Sequence, residues 1–208
     1  MEFIEECSYE SPGAVALDGS GFYMHTALSP VVRDVRPAPQ APDLSEGFRE
    51  TMRALASGVV LITTYVADRP WGVTVTSCCS LSVDPARILV SLMRTTATCQ
   101  AIEAGCAFGV NVLGDAHKQL AQFGAARGAP KFLDLDSELG IRTPAQTLAP
   151  MVDGALAYLD CRLDRLFDGG DHSLIVGRVL NLVTANPRGS ASPLLYFDGE
   201  FYHLGSPL

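Results

Sequence analysis

Three groups of polar side chains have the types and spacing to bind or transform a ligand. The first is a run of hydroxyls on one short segment: Thr74, Thr76, Ser77 and Ser80. The second, residues 94–96, precedes a predicted helix, where free backbone N–H groups and hydroxyls favour an anion. The third is His172, which follows a tight turn and could orient a polar group or carry a proton. Each also has a plainer interpretation: backbone hydrogen bonding, a helix cap and a structural histidine.

The sequence lacks the signatures of common nucleotide-binding, hydrolase and metal sites. It has no G-x-G-x-x-G after a strand, no phosphate loop with its lysine, no H-E-x-x-H and no G-x-S-x-G. The 6 cysteines form no C-x-x-C pair and no ligand-spaced set with the 4 histidines. We therefore predict no zinc site and no structural disulfide.

The charge of the chain argues against two classes of partner. A formal net charge of -8 and a pI near 4.9 give a surface that repels nucleic-acid phosphates and anionic lipids. Residues 1–7 lack the basic region of a secretory signal, and no apolar stretch approaches the ~20 residues that span a bilayer. We expect a cytoplasmic protein that binds neither nucleic acid nor membrane.

Composition divides the chain into an N-terminal arm, residues 1–43, and one domain, residues 44–208. The arm lacks periodicity and ends in a proline-rich passage, as flexible segments do. Its apolar Phe22, Tyr23 and Met24 allow a second interpretation, in which the arm lies across a partner subunit. Over the full 208 residues, 48% are hydrophobic and 18% are charged, which suits one domain with a sizeable core.

Local patterns predict that the domain is mostly β. Ser45 is predicted to cap a short helix that Gly58 ends, and further helices are predicted at 96–104 and 117–123. Strands are predicted at residues 59–66, 71–80, 87–93, 107–113, 155–167 and 172–184, with a hairpin at 194–204. Residues 124–154 read as a long excursion. Seven or so antiparallel strands with few helices indicate a closed or nearly closed barrel.

Several stretches of the chain resemble the short-chain flavin reductase family. Residues 72–85, G-V-T-V-T-S-C-C-S-L-S-V-D-P, follow that family's pattern G-x-T-x-x-S-x-x-S-x-S-x-D-P. Further matches are F-G-V-N-V-L at 108–113, Lys131-Phe132, G-D-H-S-L-I-V-G-R-V at 170–179 and P-L-L-Y-F at 193–197. The likeness covers residues 46–204 in order.

The resemblance implies an α+β fold, mostly β with small helices: an FMN-binding split β-barrel of Greek-key type. It also implies a homodimer with the flavin near the subunit interface, and transfer of hydride from NADH or NADPH to FMN or FAD. Because hydride transfer is the cofactors' own chemistry, the protein mainly has to hold two flat rings face to face. A flavin-dependent monooxygenase is the implied recipient of the reduced flavin.

Positions that match the family supply the candidate site. The candidate flavin-binding residues are Thr74, Val75, Thr76, Ser77, Cys79, Ser80, Arg94, Thr95, Thr96, Asn111, Lys131 and Phe132. His172 is implied near the nicotinamide or the outer flavin face and is the candidate catalytic residue, whereas His25, His117 and His203 have no such support. Asn111 could equally be a core amide satisfied by backbone, and Lys131 a surface lysine beside a core Phe132.

Cys78 and Cys79 depart from the family pattern, which often has an aromatic residue and a threonine there. The flavin contact that the threonine hydroxyl makes is therefore in doubt. Strand alternation should direct the two side chains to opposite faces, so we interpret both cysteines as packing residues.

Two other functions fit the same resemblance. The chain could be a split-barrel flavoenzyme that retains its flavin and acts on its own small substrate, or a non-catalytic flavin- or haem-binding module. Turnover of NADH with free flavin separates these from a reductase. The sequence does not choose between NADH and NADPH or between FMN and FAD.

Overall fold

The computed structural model describes residues 43–105, 107–133, 140–142, 144, 147–184 and 192–205. The predicted arm, residues 1–43, lies outside the described residues except for residue 43, and so does His25. Among the described residues, no helix is both long and apolar enough to cross a membrane.

The described chain contains three α-helices, one 3-10 turn and twelve strands. The helices are α1 (Ser45–Met52), α2 (Ala97–Glu103) and α3 (Lys118–Ala125), with the 3-10 turn at Asp115–His117. The strands are β1 (Ser57–Gly58), β2 (Val60–Val66), β3 (Arg69–Val75), β4 (Cys78–Val83), β5 (Ala86–Met93), β6 (Ala107–Val112), β7 (Ile141–Arg142), β8 (Met151–Val152), β9 (Ala157–Gly169), β10 (His172–Thr184), β11 (Leu194–Phe197) and β12 (Glu200–His203). The predicted mostly β fold with small helices is confirmed.

Two predicted boundaries are wrong. Helix α1 ends at Met52 rather than at Gly58, and Ser45 does not cap it through its side chain, because Asp43 instead accepts the Ser45 N–H at 3.0 Å. The strand predicted at 71–80 is two strands, β3 and β4, interrupted at Thr76 and Ser77. An unbroken apolar and hydroxyl pattern gave no sign of this interruption.

Seven strands form one antiparallel sheet in the order β3-β2-β6-β9-β10-β5-β4. In a flat sheet β3 and β4 would lie about 29 Å apart, at ~4.8 Å per strand. Only Thr76 and Ser77 join them, and such a link reaches ~11 Å at most. The sheet must therefore curl until its two ends approach each other, which makes a barrel that is split between β3 and β4.

The inside of the curled sheet is filled by apolar side chains and closed by α2. Phe108 on β6 lies over Gly177 on β10, where an added Cβ would come within 2.4 Å of the Phe108 ring. Cys99 and Ile102 bring one face of α2 into the same cluster, and both are fully buried. Because α2 follows β5 directly, the position of its first turn is fixed by this packing.

Helix α3 covers the outer side of β2 and β3. Leu120 and Ala121 pack into a second apolar cluster with Leu61 of β2. The helix lies so close to β3 that an added Cβ on Gly124 would meet the Thr74 hydroxyl at 2.3 Å. The chain that follows α3 is thereby held beside the open edge of β3.

Candidate active site

A cleft of about 880 Å³ opens beside the split in the barrel. Its walls come from β3 and the connection to β4, the end of β5, the first turn of α2, the chain after α3, and the first residue of β10. Its volume lies within the range of roughly 300–1,000 Å³ typical of small-molecule sites.

The structure brings most of the predicted site residues to this cleft. Those that line it are Thr74, Val75, Thr76, Ser77, Thr95, Thr96, Lys131 and His172. Those that do not are Cys79, Ser80, Arg94, Asn111 and Phe132. Residues that lie some 100 positions apart in the sequence thus meet at one place, as a common ligand site requires.

The hydroxyls on and after β3 are not equally available to a ligand. Thr74 Oγ1 donates to the Ala121 carbonyl at 2.8 Å, and Ser77 Oγ donates to the Ser91 carbonyl at 2.7 Å. Their protons are engaged in positioning α3 and β5. In contrast, neither the hydroxyl nor the N–H of Thr76 has a hydrogen-bond partner within the described part of the chain. Thr76 therefore presents a free donor pair to the cleft.

Thr96 is both a helix cap and part of the cleft wall. Its hydroxyl donates to the Met93 carbonyl at 2.8 Å and accepts the Cys99 N–H at 3.2 Å. The cap interpretation and the ligand interpretation of this residue are thus compatible, since its neighbour Thr95 also lines the cleft.

Two cations line the cleft without an ion-pair partner among the described residues: Arg127 and Lys131. The Lys131 carbonyl accepts the Gly72 N–H at 3.1 Å, which holds this segment against β3. Burial lowers the pKa of the Lys131 ammonium. Such a pair of cations is suited to a ligand that carries phosphate.

Phe132 supports the cleft from behind rather than lining it. Its ring meets the Trp71 indole edge to face, with centroids 4.8 Å apart, and the Arg69 guanidinium lies 3.8 Å from the Phe132 centroid. Trp71 itself lines the cleft, and its indole N–H donates to Thr98 Oγ1 at 3.0 Å.

His172 stands at the cleft mouth, where its imidazole is oriented by an acid. Its Nδ1 lies 2.6 Å from Asp171 Oδ1, so an Nδ1–H donates to that carboxylate and leaves Nε2 for other partners. The hydrogen bond from His172 lowers the pKa of Asp171. The lowered pKa favours the ionised carboxylate, which is the form that accepts the Nδ1–H.

Arg94 holds the turn that carries His172. Its guanidinium pairs with Asp168 and donates from Nε to the His172 carbonyl at 3.4 Å, and its backbone N–H donates to the Asp171 carbonyl at 3.2 Å. Asp168 also accepts the Gly170 N–H at 2.8 Å, and the Arg94 contact lowers its pKa. The flavin contact predicted for Arg94 stays a prediction; within the protein its guanidinium contacts this turn.

Asn111 lies in the core, away from the cleft. Its amide donates to the Leu61 carbonyl and to Thr63 Oγ1, both at 3.2 Å, and its Oδ1 accepts the Val152 N–H at 2.8 Å. The protein itself thus supplies the hydrogen bonds of this buried amide, in line with the core interpretation.

Cys79 and Ser80 lie on β4 and are exposed outside the cleft. Cys78 points the other way and packs against the barrel interior, as strand alternation predicts. Burial raises the pKa of the Cys78 thiol to about 12, which keeps it protonated at neutral pH.

Sequence reasoning missed twelve of the residues that line the cleft, among them Trp71, Ser91 and Arg127. Arg127 stands in the segment that contains the Lys131-Phe132 match, so its proximity to Lys131 was a usable signal. On β3, every second residue shares one face of the strand. This period of two would have placed Trp71 on the same face as Val73 and Val75. Ser91 gave no signal, because its place depends on the pairing of β5.

Comparison with known proteins gives consistent matches. Residues 52–205 match the family described as "Flavin reductase like domain". The chain is 33% identical over 157 residues to the reductase subunit HsaB of a flavin-dependent monooxygenase from Mycobacterium tuberculosis, covering 74% of this chain and 79% of that protein. It is 35% identical over 160 residues to the NADH-dependent FMN reductase AsuE2 of Streptomyces nodosus subsp. asukaensis, with 77% and 85% covered.

A solved structure shares the fold. It is BorF, the flavin reductase component of a bacterial two-component tryptophan halogenase, with a TM-score of 0.70 and 34% identity. The similarity covers 78% of this chain and 99% of BorF.

Proposed function

The chain belongs to the flavin reductase-like domain family, and on that basis we propose that it is an NAD(P)H-dependent flavin reductase that reduces FMN or FAD. The observation that carries the proposal is the cleft. It joins donors and cations that have no partner among the described residues to a histidine that an acid orients. The family membership makes the protein an oxidoreductase.

The residues of the cleft fit a flavin. Thr76 offers the hydroxyl and N–H that the polar edge of an isoalloxazine ring needs, and neither is engaged within the described residues. We propose that Lys131 and Arg127 bind the flavin phosphate, and that Thr95, which also lines the cleft, adds a hydroxyl. When bound, the flavin accepts hydride from the nicotinamide.

His172 is the residue we propose for the nicotinamide side. Asp171 fixes the imidazole so that Nε2 is the free nitrogen, and His172 lines the cleft opposite β3. In that position the imidazole can bind the carboxamide of the nicotinamide and hold its ring against the flavin. The Arg94–Asp168 pair keeps the turn, and with it His172, in place.

We also propose that the protein works as a homodimer. Large apolar side chains are exposed on β4 and β10: Val83 is 94%, Leu182 60% and Leu81 50% exposed. Other large apolar side chains are exposed on α1, β9, β11 and β12. Extensive exposed apolar surface marks an interaction site more often than a solvated one.

The recipient of the reduced flavin is proposed to be a monooxygenase. Two relatives are named as reductase components of such systems, HsaB and a 4-nitrophenol 4-monooxygenase reductase component from Rhodococcus opacus. Because the proposed reaction consumes NADH or NADPH, we place the protein in the cytoplasm. Cell fractionation that finds it elsewhere would reject this location.

The test is oxidation of NADH and of NADPH by the purified protein with FMN or FAD in excess. We expect turnover that scales with added flavin and a protein that loses its flavin on gel filtration. A yellow protein that keeps its flavin and does not turn over NADH would reject the proposal in favour of a dedicated flavoenzyme. A protein that neither binds flavin nor oxidises NADH would reject both.

A further inference from the structure

We propose that the Trp71 end of the cleft binds the adenosine part of FAD, so that FAD rather than FMN is the preferred flavin. This inference rests on the proposed function, since it assigns the flavin class of the same site. It is carried by three features of the cleft lining: donors of Thr76 and two cations, none of them paired within the described residues, and a fixed indole.

Trp71 is held in one orientation. Its indole N–H donates to Thr98 Oγ1 at 3.0 Å, and Phe132 meets it at an interplanar angle of 88°. The backbone on either side is also fixed, because the Gly72 N–H donates to the Lys131 carbonyl at 3.1 Å and the Leu133 N–H to the Pro70 carbonyl at 2.8 Å. A rigid aromatic side chain loses little entropy when a ligand binds.

The indole offers an apolar surface to the cleft. Trp71 is half-buried and lines the cleft, and its one polar atom is already satisfied by Thr98. Among the described residues, Phe132 is the only aromatic side chain that contacts the Trp71 ring, and the two rings are perpendicular rather than stacked. The cleft side of Trp71 is therefore suited to a flat, aromatic group such as a nucleobase.

Trp71 is too far from Thr76 for one ring to contact both. The two residues are five positions apart on an extended segment, which corresponds to about 17 Å at ~3.3 Å per residue. A ligand that occupies both ends must carry two ring systems with a linker between them.

The middle of the cleft favours an anionic linker. Lys131 lines it, and its backbone lies against Gly72, the residue after Trp71. Arg127 lines the same wall, and neither cation has a carboxylate partner in the described part of the chain, although the net charge is -8. A ring, a pyrophosphate and a second ring follow one another in a flavin dinucleotide, whereas FMN ends in a single phosphate and has no second ring.

FAD suits this arrangement better than NADH does. A ligand that contacts both Trp71 and Thr76 must lie along β3. In the proposed site the flavin ring lies there, because it contacts Thr76. The nicotinamide has to stack on the open flavin face, on the His172 side, and so lies one layer further from β3. The adenosine that reaches Trp71 along β3 is thus the one that is joined to the flavin.

The test is the dissociation constant of FMN and of FAD, measured by flavin fluorescence without NADH, for the wild type and for Trp71→Leu. We expect the wild type to bind FAD more tightly than FMN, and Trp71→Leu to weaken FAD by about tenfold while FMN changes less than about twofold. Trp71→Phe should keep most of the FAD affinity. Phe197→Leu, outside the cleft, is the matched control and should change neither value.

Thr98→Val provides a second variant in case Trp71→Leu folds poorly. It removes the acceptor of the indole N–H while Trp71 remains, and we expect a smaller loss confined to FAD. Equal weakening of FMN and FAD, no change in either, or an effect seen only on the KM of NADH would each overturn the inference. If the proposed reductase function is sound, the wild type and Phe197→Leu both reduce FMN; loss of FMN reduction in the wild type rejects that function instead.

Discussion

At the scale of single residues, the structure separates ligand contacts from contacts that support them. Thr76 and Lys131 present unengaged polar groups to the cleft, whereas the hydroxyls of Thr74 and Ser77 bond to neighbouring backbone. The three hydroxyl residues lie in one short segment of the sequence. The difference between Thr76 and the other two therefore depends on which carbonyl each side chain meets after folding. The sequence could predict the neighbourhood but not this division of roles.

The proposed role of His172 leads to a split between turnover and binding. His172→Ala should lower the turnover number with NADH on the order of a hundredfold, because an oriented imidazole is lost from the nicotinamide side. The dissociation constant of the flavin should hardly change. Steady-state kinetics and flavin titration measure the two quantities, with His203→Ala as the control. An equal loss of both would show that His172 is structural.

Lys131 should give flavin binding a pH dependence. The ammonium is charged below its pKa, and since burial lowers that pKa, the charge is lost at a lower pH than for an ordinary lysine. FMN affinity should therefore fall as the pH rises through the lowered pKa, whereas riboflavin, which lacks the phosphate, should show no such fall. Lys131→Met should weaken FMN by about tenfold and abolish the pH dependence.

Titrations of FMN and riboflavin between neutral and alkaline pH provide the measurement. The same fall for both ligands would show that the effect comes from the ring or from unfolding, and would reject the phosphate contact.

At the scale of elements, the Arg94–Asp168 pair joins the end of β5 to the β9–β10 turn. Arg94→Met and Asp168→Asn should each lower turnover with NADH several-fold and raise the KM of NADH, because the turn that carries His172 loosens. The double variant should be little worse than either single variant, since both remove one interaction.

A double-mutant cycle on turnover, KM and flavin affinity tests this coupling. Arg53→Met removes an exposed ion pair with Asp198, 3.0 Å long and outside the cleft, and should leave all three quantities unchanged. Additive effects of Arg94→Met and Asp168→Asn, or an effect mainly on flavin affinity, would contradict the positioning role. The second outcome would restore Arg94 as a flavin contact.

The elements themselves were largely predictable, and the exceptions share a cause. Alternation and turn residues predicted β9, β10 and the hairpin of β11 and β12, because half-buried strands show their exposed face in the sequence. The break between β3 and β4 was missed because Thr76 and Ser77 continue the local pattern. The chain leaves the β3 edge of the sheet at these residues and joins the β4 edge, and only the curl of the whole sheet requires this.

At the scale of the whole molecule, residues 1–43 and the excursion at 124–154 limit what could be predicted. The excursion contains described pieces, β7 and β8, that no periodicity indicated because each is only 2 residues long. The mostly β fold followed from strand count and alternation, and the comparison with BorF agrees with it. Subunit association stays a prediction.

Subunit association should depend on the exposed apolar residues of β4 and β10. Leu182→Asp is expected to convert a dimer to a monomer, because a charge would be buried without a partner in the interface. Sedimentation velocity of the wild type and the variant measures this. Leu204→Asp, at an exposed leucine after β12, is the control and should remain dimeric. A monomeric wild type would reject the proposal.

The connection at Thr76 and Ser77 should also affect amide hydrogen exchange at the two edges of the sheet. These two residues join both ends of the sheet and also line the cleft, so a ligand held there resists separation of β3 from β4. Amide protons at those two sheet edges exchange through local opening, which bound flavin should suppress by mass action. Saturating FMN should therefore slow exchange in β3 and β4 more than in β11 and β12. Uniform slowing would mean that the flavin acts only on global unfolding.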